Sequence, residues 1–138
     1  MSYQEPTLLD FGGIGDSQIG FISVAEFPRN LPFEIKRVFW TYFTPHEVIR
    51  GRHAHKELEQ ILIAVSGTIW VTTENIYGEK KYFTLDQPRK GLYIPTFHWN
   101  ELRFSHTAVL LSLNSQPYNP DEYIRDYEEF KSYAYQKK

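Results

Sequence analysis

The chain has 138 residues, with 15 Lys and Arg, 17 Asp and Glu, no Cys and a formal net charge of −2. This length predicts one domain over residues 1–138, and the lack of cysteine excludes disulfides, thiolate metal sites and cysteine nucleophiles. The mixed charges lack the basic stripe of a nucleic-acid binder, no apolar run approaches the 18 or so residues of a membrane span, and residues 1–6 show no signal-peptide pattern. We therefore expect a cytoplasmic protein with no nucleic-acid or membrane partner.

Short apolar segments separated by Gly, Pro and other turn residues follow along the chain. They predict strands over residues 21–26, 33–43, 57–66, 68–73, 80–85, 91–94 and 107–113, with a loop over 45–51. Aromatic residues, which favour strands, make up 17% of the chain. The pattern predicts an all-β barrel or sandwich.

Arg37 is a charged residue within the predicted strand 33–43. Two-residue alternation places it on one face with a set of mostly apolar side chains. These are Phe33, Ile35, Phe39, Thr41 and Phe43. Such an arginine either reaches solvent or a core carboxylate from an apolar face, or it is a cation held in a cavity for an anionic ligand.

The C-terminal segment has a helical pattern. Asn119 is a good N-cap, Pro120 suits the first helical position, and Asp121 and Glu122 suit the positive end of the helix dipole. Apolar residues then recur at helical spacing. We expect a helix over about 120–136 that packs on the barrel.

The densest polar segment is Arg50-Gly51-Arg52-His53-Ala54-His55-Lys56. Side chains two residues apart on an extended segment point to the same side, so we expect His53 and His55 on one face, with His53 nearer the cavity floor. A neutral imidazole with a pKa of about 6.5 can take and return a proton near pH 7. The pair therefore indicates proton transfer or metal binding, against the simpler interpretation of two surface histidines.

A glycine, histidine and glutamine pattern in this region resembles the first motif of the cupin superfamily, in which two histidines and a glutamate bind a metal. Its residues are Gly51, His53, His55, Gln60 and Gly67. The second cupin motif places a histidine five residues after a proline, where this chain has Asn100 after Pro95. Amides at Gln60 and Asn100 are poor ligands for transition metals. Glu59 and His98, each one position out of register, are the rival ligands of a metal-dependent cupin enzyme.

A narrower resemblance covers nearly the whole chain and rests on several segments in order. They are residues 31–39, Arg50-Gly51, His53-Ala54-His55-Lys56, Gln60, residues 91–95, Trp99 with Glu101, Phe104-Ser105 and Tyr123-Ile124-Arg125-Asp126-Tyr127. Together they resemble the small cupin sugar 3,4-ketoisomerases, which act on dTDP-4-keto-6-deoxy-D-glucose. The resemblance implies a cupin (jelly-roll) barrel, a homodimer, and a site without metal or other cofactor in which His53 and His55 transfer protons.

The residues fit the activity that this resemblance implies. Moving a ketone from C4 to C3 takes proton removal beside a carbonyl, an enediol and reprotonation, and two imidazoles could share these steps. Candidate substrate-binding residues comprise arginines for the pyrophosphate, aromatic residues for the base or sugar, and two amides. They are Arg37, Arg50, Arg52, Tyr42, Trp99, Gln60 and Asn100. For the aromatic residues, core packing is the competing interpretation.

Two positions depart from the family pattern. Many relatives have Asp-x-Arg-Gly where this chain reads Ser17-Gln18-Ile19-Gly20, and relatives commonly carry histidine at the position of Asn100. The departures leave open whether the product is the gluco or the galacto 3-keto sugar. The product would feed an aminotransferase that makes an amino-dideoxysugar for surface glycans such as lipopolysaccharide. The alternatives to an isomerase are a non-catalytic cupin that binds a sugar nucleotide and a metal-dependent cupin enzyme.

Overall fold

The computed structural model describes residues 4–136; residues 1–3, where the segment considered for a signal peptide begins, and residues 137–138 lie outside the described residues. The elements are β1 (Thr7–Asp10), β2 (Ile14–Asp16), β3 (Gly20–Ile22), β4 (Arg37–Tyr42), β5 (Ile49–His55), β6 (Gln60–Ser66), β7 (Ile69–Asn75), β8 (Lys80–Leu85), β9 (Lys90–Ile94), β10 (His98–Phe104), β11 (Val109–Asn114), a 3-10 helix (Pro120–Glu122), β12 (Tyr123–Ile124) and the helix α1 (Tyr127–Gln136). The prediction of an all-β fold with one C-terminal helix is confirmed. Within residues 4–136 no helix is long and apolar enough to cross a membrane.

Two antiparallel five-stranded sheets form the barrel, in the strand orders β1-β9-β6-β11-β4 and β12-β5-β10-β7-β8. Alternate side chains of each strand point into the space between the sheets. Leu62 and Leu110 of the first sheet pack there against Val71, Leu102 and Phe104 of the second. This apolar core fills one part of the interior, and the polar residues of the candidate site lie further along the same inner faces.

The N-terminal part of the chain covers the outer face of the first sheet. Ile61, Ile63 and Tyr93 point outward there and pack against Leu31 and Phe33. The central strands β6 and β9 are therefore buried on both faces, which explains why β6 reads as an almost continuous apolar run.

The predicted strand 33–43 is shorter in the structure, because only Arg37–Tyr42 pairs with β11. Phe33 and Ile35 instead pack on the outer face of the first sheet, and Phe43 is 75% exposed, with a φ of 57°. The single face predicted for this segment therefore holds only Arg37, Phe39 and Thr41.

The other strand predictions differ in quality. Segments 57–66, 68–73, 80–85, 91–94 and 107–113 correspond to β6, β7, β8, β9 and β11, whereas only residues 21 and 22 of segment 21–26 lie in a strand, β3. The predicted loop 45–51 was wrong at its end, because β5 begins at Ile49. Strand β10 was not predicted, since its sequence His98–Phe104 contains polar and charged side chains on both faces.

The C-terminal prediction was wrong about where the helix begins. Asn119 is an N-cap and its side chain accepts a hydrogen bond from the Asp121 N–H, but the helix that it caps is a 3-10 helix of three residues. The chain then extends as β12 and pairs with β5. Helix α1 begins only at Tyr127 and packs Phe130 against Trp99 on the outer face of the second sheet. Pairing with β5 outweighs the local helical pattern of residues 120–126.

Candidate active site

Both histidines of the polar segment lie on β5, and a β-bulge controls their direction. Asn100 of β10 pairs with His53, whereas Glu101 pairs with Gly51, so Arg52 is the extra residue. Gly51 has a φ of 82°, and a Cβ atom there would lie 2.9 Å from the Asn100 carbonyl oxygen. The glycine permits the bulge, which turns the next residues so that His53 and His55 share the inner face.

The two imidazoles are neighbours, with ring centroids 4.9 Å apart. His55 is the deeper of the two, at 4% exposure, while His53 is only partly buried. The expectation that His53 lies nearer the cavity floor was therefore wrong. The next residue, Lys56, donates its main-chain N–H to the Glu122 carbonyl oxygen. This hydrogen bond holds the end of β5 against the C-terminal segment, which covers His55.

His55 is hydrogen-bonded to the carboxylate of Glu122, with 2.5 Å between Nδ1 and Oε2. A carboxylate only accepts hydrogen bonds, so the Nδ1 of neutral His55 carries the proton and Nε2 has a lone pair. Nε2 is buried and has no hydrogen-bond partner within residues 4–136. Burial lowers the pKa of His55, while the Glu122 carboxylate acts in the opposite direction.

His53 has the same tautomer for a different reason. Its Nδ1 lies 3.1 Å from the Gly51 carbonyl oxygen, an acceptor, so Nδ1 carries the proton and Nε2 is free of it. Burial, with the nearby charges of His55 and Arg125, lowers the pKa of His53 to about 4. Both histidines are thus neutral near pH 7, and each offers an unprotonated Nε2.

Aromatic rings and arginines surround the histidine pair. The Tyr123 ring contacts both imidazoles, with centroids 5.1 Å from His53 and 4.4 Å from His55. The Arg125 guanidinium carbon lies 4.2 Å from the Tyr123 ring centroid. That of Arg37 lies 5.5 Å from the Tyr118 ring centroid. Both guanidinium charges lower the pKa of His55.

No ion pair within residues 4–136 neutralises the charge of either arginine. Within residues 4–136 neither Arg37 nor Arg125 has a carboxylate in ion-pair range, and the buried Nε of Arg37 has no hydrogen-bond partner there. The charge of Arg37, which is unpaired within the described part of the chain, favours the interpretation as a cation that is available to an anionic ligand. It argues against the alternative, in which Arg37 pairs with a core carboxylate.

The predicted amides also point inward. Gln60 is 6% exposed, and its Nε2 donates to Asn114 Oδ1 at 2.9 Å. Asn114 pairs with Arg37 across β11 and β4. Asn100 is 1% exposed, and its Nδ2 donates to the His53 carbonyl oxygen. Gln60 and Asn100 therefore border the interior from opposite sheets.

Arg50 and Arg52 lie on different faces of β5 because of the bulge. Arg50 pairs with Leu102, whose side chain points inward, so it shares the face of His53, although it is exposed. Arg52 borders an outer surface groove with Glu74 and Tyr127. The structure brings Arg50, and not Arg52, to the face of the histidines.

The predicted aromatic contacts do not gather at the histidine pair. Tyr42 is 55% exposed and points to the opposite face of β4 from Arg37, where its ring makes an edge-to-face contact with Phe43. Trp99 is 6% exposed in the outer cluster with Ala54, Ile124 and Phe130. For Trp99 the structure favours the packing interpretation, whereas Tyr42 lies on the exposed outer face of β4; neither ring lies on the face of the histidines.

Neither rival metal ligand joins the histidine pair. Glu59 accepts a hydrogen bond from the Tyr93 hydroxyl at 2.5 Å. His98 is bonded to the Thr96 carbonyl oxygen and borders a groove with Glu5 and Lys81. Over residues 4–136 no three His, Asp or Glu side chains form a cluster with metal-binding geometry.

Sequence reasoning missed Glu122, Tyr123, Arg125 and Asn114 as site residues. Glu122 was interpreted only as a favourable charge at a helix N-terminus. Tyr123 and Arg125 stand in the tail segment that carried the family resemblance, which was the signal available for them. None of these residues is close in sequence to the histidines they surround.

Residues 4–135 match the model of the family described as FdtA: WxcM-like, C-terminal. The chain belongs to this family. This WxcM-like protein is 39% identical over 132 residues to the TDP-4-oxo-6-deoxy-alpha-D-glucose-3,4-oxoisomerase of Aneurinibacillus thermoaerophilus. The match covers 94% of this chain and 92% of that relative.

Solved structures agree with this assignment. A 3,4-ketoisomerase from Helicobacter canadensis superposes with a TM-score of 0.89 at 40% identity, covering 96% of this chain and 99% of that one. The sugar 3,4-ketoisomerase QdtA from Thermoanaerobacterium thermosaccharolyticum was solved in complex with TDP. It superposes with a TM-score of 0.91 at 32% identity, and the match covers 99% of this chain and 98% of that one. The rmlC epimerase of Mycobacterium tuberculosis shares the cupin-type fold alone. It superposes with a TM-score of 0.74 at 16% identity, and the match covers 89% of this chain and 69% of that one.

Proposed function

We propose that this WxcM-like protein is a 3,4-ketoisomerase that converts dTDP-4-keto-6-deoxy-D-glucose into a dTDP-3-keto-6-deoxyhexose. The observation that carries the proposal is the pair of neutral imidazoles, each with an unprotonated Nε2, on one inner face of the barrel. The relatives named for this activity and the complex of one of them with TDP support the substrate class.

The reaction needs two proton movements and no net oxidation. His55 removes the proton on C3, and the electrons of that bond form the C3–C4 double bond of an enediol. The same proton, or one exchanged with solvent, is then returned to C4. His53 accepts the proton of the O3 hydroxyl and passes it to O4, so the C4 ketone becomes a hydroxyl while a C3 ketone forms. Each imidazole is regenerated in its neutral form, so no cofactor is required by the balance.

The buried position of His55 supports its assignment to carbon. Its Nε2 is shielded from water, and a base that acts on carbon gains from a site where water does not compete for the enediol. His53 is more accessible and its pKa is lowered to about 4, so it stays neutral and accepts a hydrogen bond from a hydroxyl. This division between the two histidines was left open by the sequence.

Arg37 and Arg125 are proposed to hold the pyrophosphate, with Arg50 as a further cation on the same face. Guanidinium groups match phosphate oxygens in shape and charge, and neither Arg37 nor Arg125 has an acidic partner within residues 4–136. Gln60 and Asn100 are proposed to contact the sugar, because their amides lie on the inner faces of the two sheets.

Incubation with dTDP-4-keto-6-deoxy-D-glucose in D₂O, followed by NMR, tests the activity. The wild-type protein should form the 3-keto sugar and place deuterium at C3 or C4. His53→Asn and His55→Asn should each lose about 10²–10⁴-fold in kcat with little change in dTDP affinity. His106→Asn, which changes an exposed histidine, is the matched control.

The same experiment separates the alternatives. A non-catalytic binding protein would bind dTDP but leave the substrate protons unexchanged. A metal-dependent enzyme would lose turnover in the presence of a chelator and regain it when divalent metal is added. Turnover that survives chelation, with both histidine variants inactive, supports the isomerase.

We also propose that the protein acts as a homodimer. The β2–β3 hairpin has apolar side chains exposed to solvent: Ile14 is 67%, Ile19 81%, Phe21 67% and Ile22 65% exposed. Unpaired strand edges with apolar side chains favour association, and a homodimer is also what the family resemblance implies. Light scattering should give twice the 16.4 kDa mass of the chain; the monomer mass at micromolar concentration would refute the dimer.

The wider setting follows from the same proposed reaction. A dTDP-3-keto-6-deoxyhexose is the type of ketone that an aminotransferase converts into a 3-amino-3,6-dideoxyhexose for surface glycans, including lipopolysaccharide. A cytoplasmic location fits a nucleotide-linked substrate. Coupled assays with a sugar aminotransferase would test this place in the sequence of reactions.

A further inference from the structure

Glu122 is a buried carboxylate with two separate tasks. It is 4% exposed. Its Oε1 accepts hydrogen bonds from the main-chain N–H groups of Leu58 at 3.0 Å and Glu57 at 3.2 Å. Its Oε2 accepts the Nδ1–H of His55. One oxygen therefore orders the chain after β5, and the other faces the histidine.

The backbone around Glu122 fixes the carboxylate in place. The Lys56 N–H donates to its carbonyl oxygen, and its own N–H donates to the Asn119 carbonyl oxygen. The 3-10 helix thus presents this side chain to β5 from a segment that is itself held at both ends. Little rotation is available to either partner of the Glu122–His55 pair.

We propose that Glu122 is the positioning residue of the proton-transfer site: it holds His55 with Nε2 unprotonated and directed into the barrel, and its charge stabilises the imidazolium that forms when His55 takes a proton. The inference rests on the proposed isomerase function. It assigns a role to a residue 67 positions away from the histidine in sequence.

The electrostatic surroundings make this charge important. His55 faces His53 on its own strand, Tyr123 on β12, Arg37 on β4 and Arg125 after β12. The two guanidinium groups disfavour a positive charge on His55. Glu122 is the group hydrogen-bonded to His55 that favours it, so removing its charge leaves an imidazolium among cations.

Glu122→Gln separates the positioning role from the structural one. The glutamine oxygen should stay with the Leu58 and Glu57 N–H groups, because the opposite rotamer would place an NH₂ group against two donors. The NH₂ group then faces His55 Nδ1 and donates to it. That hydrogen bond requires the other tautomer, in which Nε2 carries the proton and cannot act as a base.

We expect Glu122→Gln to lower kcat by about 10²–10⁴-fold, the usual contribution of a general acid–base group, because the wrong tautomer disables His55 as a base. Its dTDP dissociation constant should stay within about threefold of the wild type, because the nucleotide is held elsewhere. In the His55→Asn background the same change should have no further effect on kcat, since Glu122 acts through His55. Nitrogen NMR of the histidines should show His55 protonated at Nδ1 in the wild type and at Nε2 in the variant.

Glu59→Gln is the matched control. Glu59 also accepts a short side-chain hydrogen bond, from Tyr93, and within residues 4–136 it is hydrogen-bonded to neither histidine of the site. It should leave the His55 tautomer and kcat unchanged, whatever its effect on stability.

Failure of this inference is distinct from failure of the proposed function. If the wild type isomerises the substrate and folded Glu122→Gln keeps kcat within threefold, the positioning role is refuted while the isomerase stands. If the wild type shows no turnover, the isomerase is refuted and so is the positioning role. If the Gln variant does not fold, the wild-type tautomer decides: a proton on Nδ1 supports the inference and a proton on Nε2 overturns it.

Discussion

The stability of the protein should fall in mild acid because His53 is buried in its neutral form. Its pKa is lowered from 6.5 to about 4 in the folded protein, first by burial and then by the charges of His55 and Arg125. Between these two values the unfolded chain binds more protons than the folded one, so the free energy of unfolding decreases as the pH falls. The stabilisation is complete above the unfolded pKa and is lost towards the folded one.

The size of this loss in the free energy of unfolding follows from how far the pKa of His53 is lowered. A difference of 2.5 pKa units corresponds to about 3 kcal/mol in full, of which about 2 kcal/mol is already lost at about pH 5. Replacing His53 with Asn removes this contribution, so the variant should lose about 2 kcal/mol less than the wild type between about pH 7.5 and pH 5. The pKa values of His55 and His98 are lowered as well, so the variant should retain part of the acid sensitivity.

Urea unfolding of the wild type, His53→Asn and His106→Asn at both pH values measures these differences. The comparison uses the change with pH in each protein, which cancels the loss of packing that the substitution itself causes. The exposed His106 should give the wild-type pH dependence. If His53→Asn and the wild type lose the same free energy, the neutral buried state of His53 is refuted.

Two further predictions concern packing and substrate binding. Trp99→Ala should lower the free energy of unfolding by about 3–5 kcal/mol in urea, because the ring is 6% exposed and packs on Phe130. A decrease of less than about 1 kcal/mol would contradict the packing role. Arg37→Met should weaken dTDP binding in calorimetry about tenfold or more, the value of one charge-assisted hydrogen bond. The control Arg103→Met, on the outer face, should leave the affinity unchanged. If Arg37→Met binds dTDP as tightly as the wild type, Arg37 does not belong to the pyrophosphate site.

Much of the fold could be predicted from the sequence, because it depends on local patterns. The strands β6 to β9 and β11 are short apolar segments between turn residues, and their side-chain alternation is a property of any extended chain. The same property places His53 and His55 on one face, since a single residue separates them. Arg37 was likewise expected on a partly apolar face, which the structure confirms through Phe39.

The remaining features depend on contacts between distant segments. Residues 120–126 have local signals for a helix, but pairing with β5 makes two of them a strand and brings Glu122 against His55. The bulge at Arg52 depends on the register between β5 and β10, and it decides which arginines share the face of the histidines. Trp99 points out of the barrel by strand alternation, and it is buried there only because α1 covers that face of β10. The sequence alone determined which groups can transfer protons, whereas long-range strand pairing decided how deeply each histidine is buried and which carboxylate it meets.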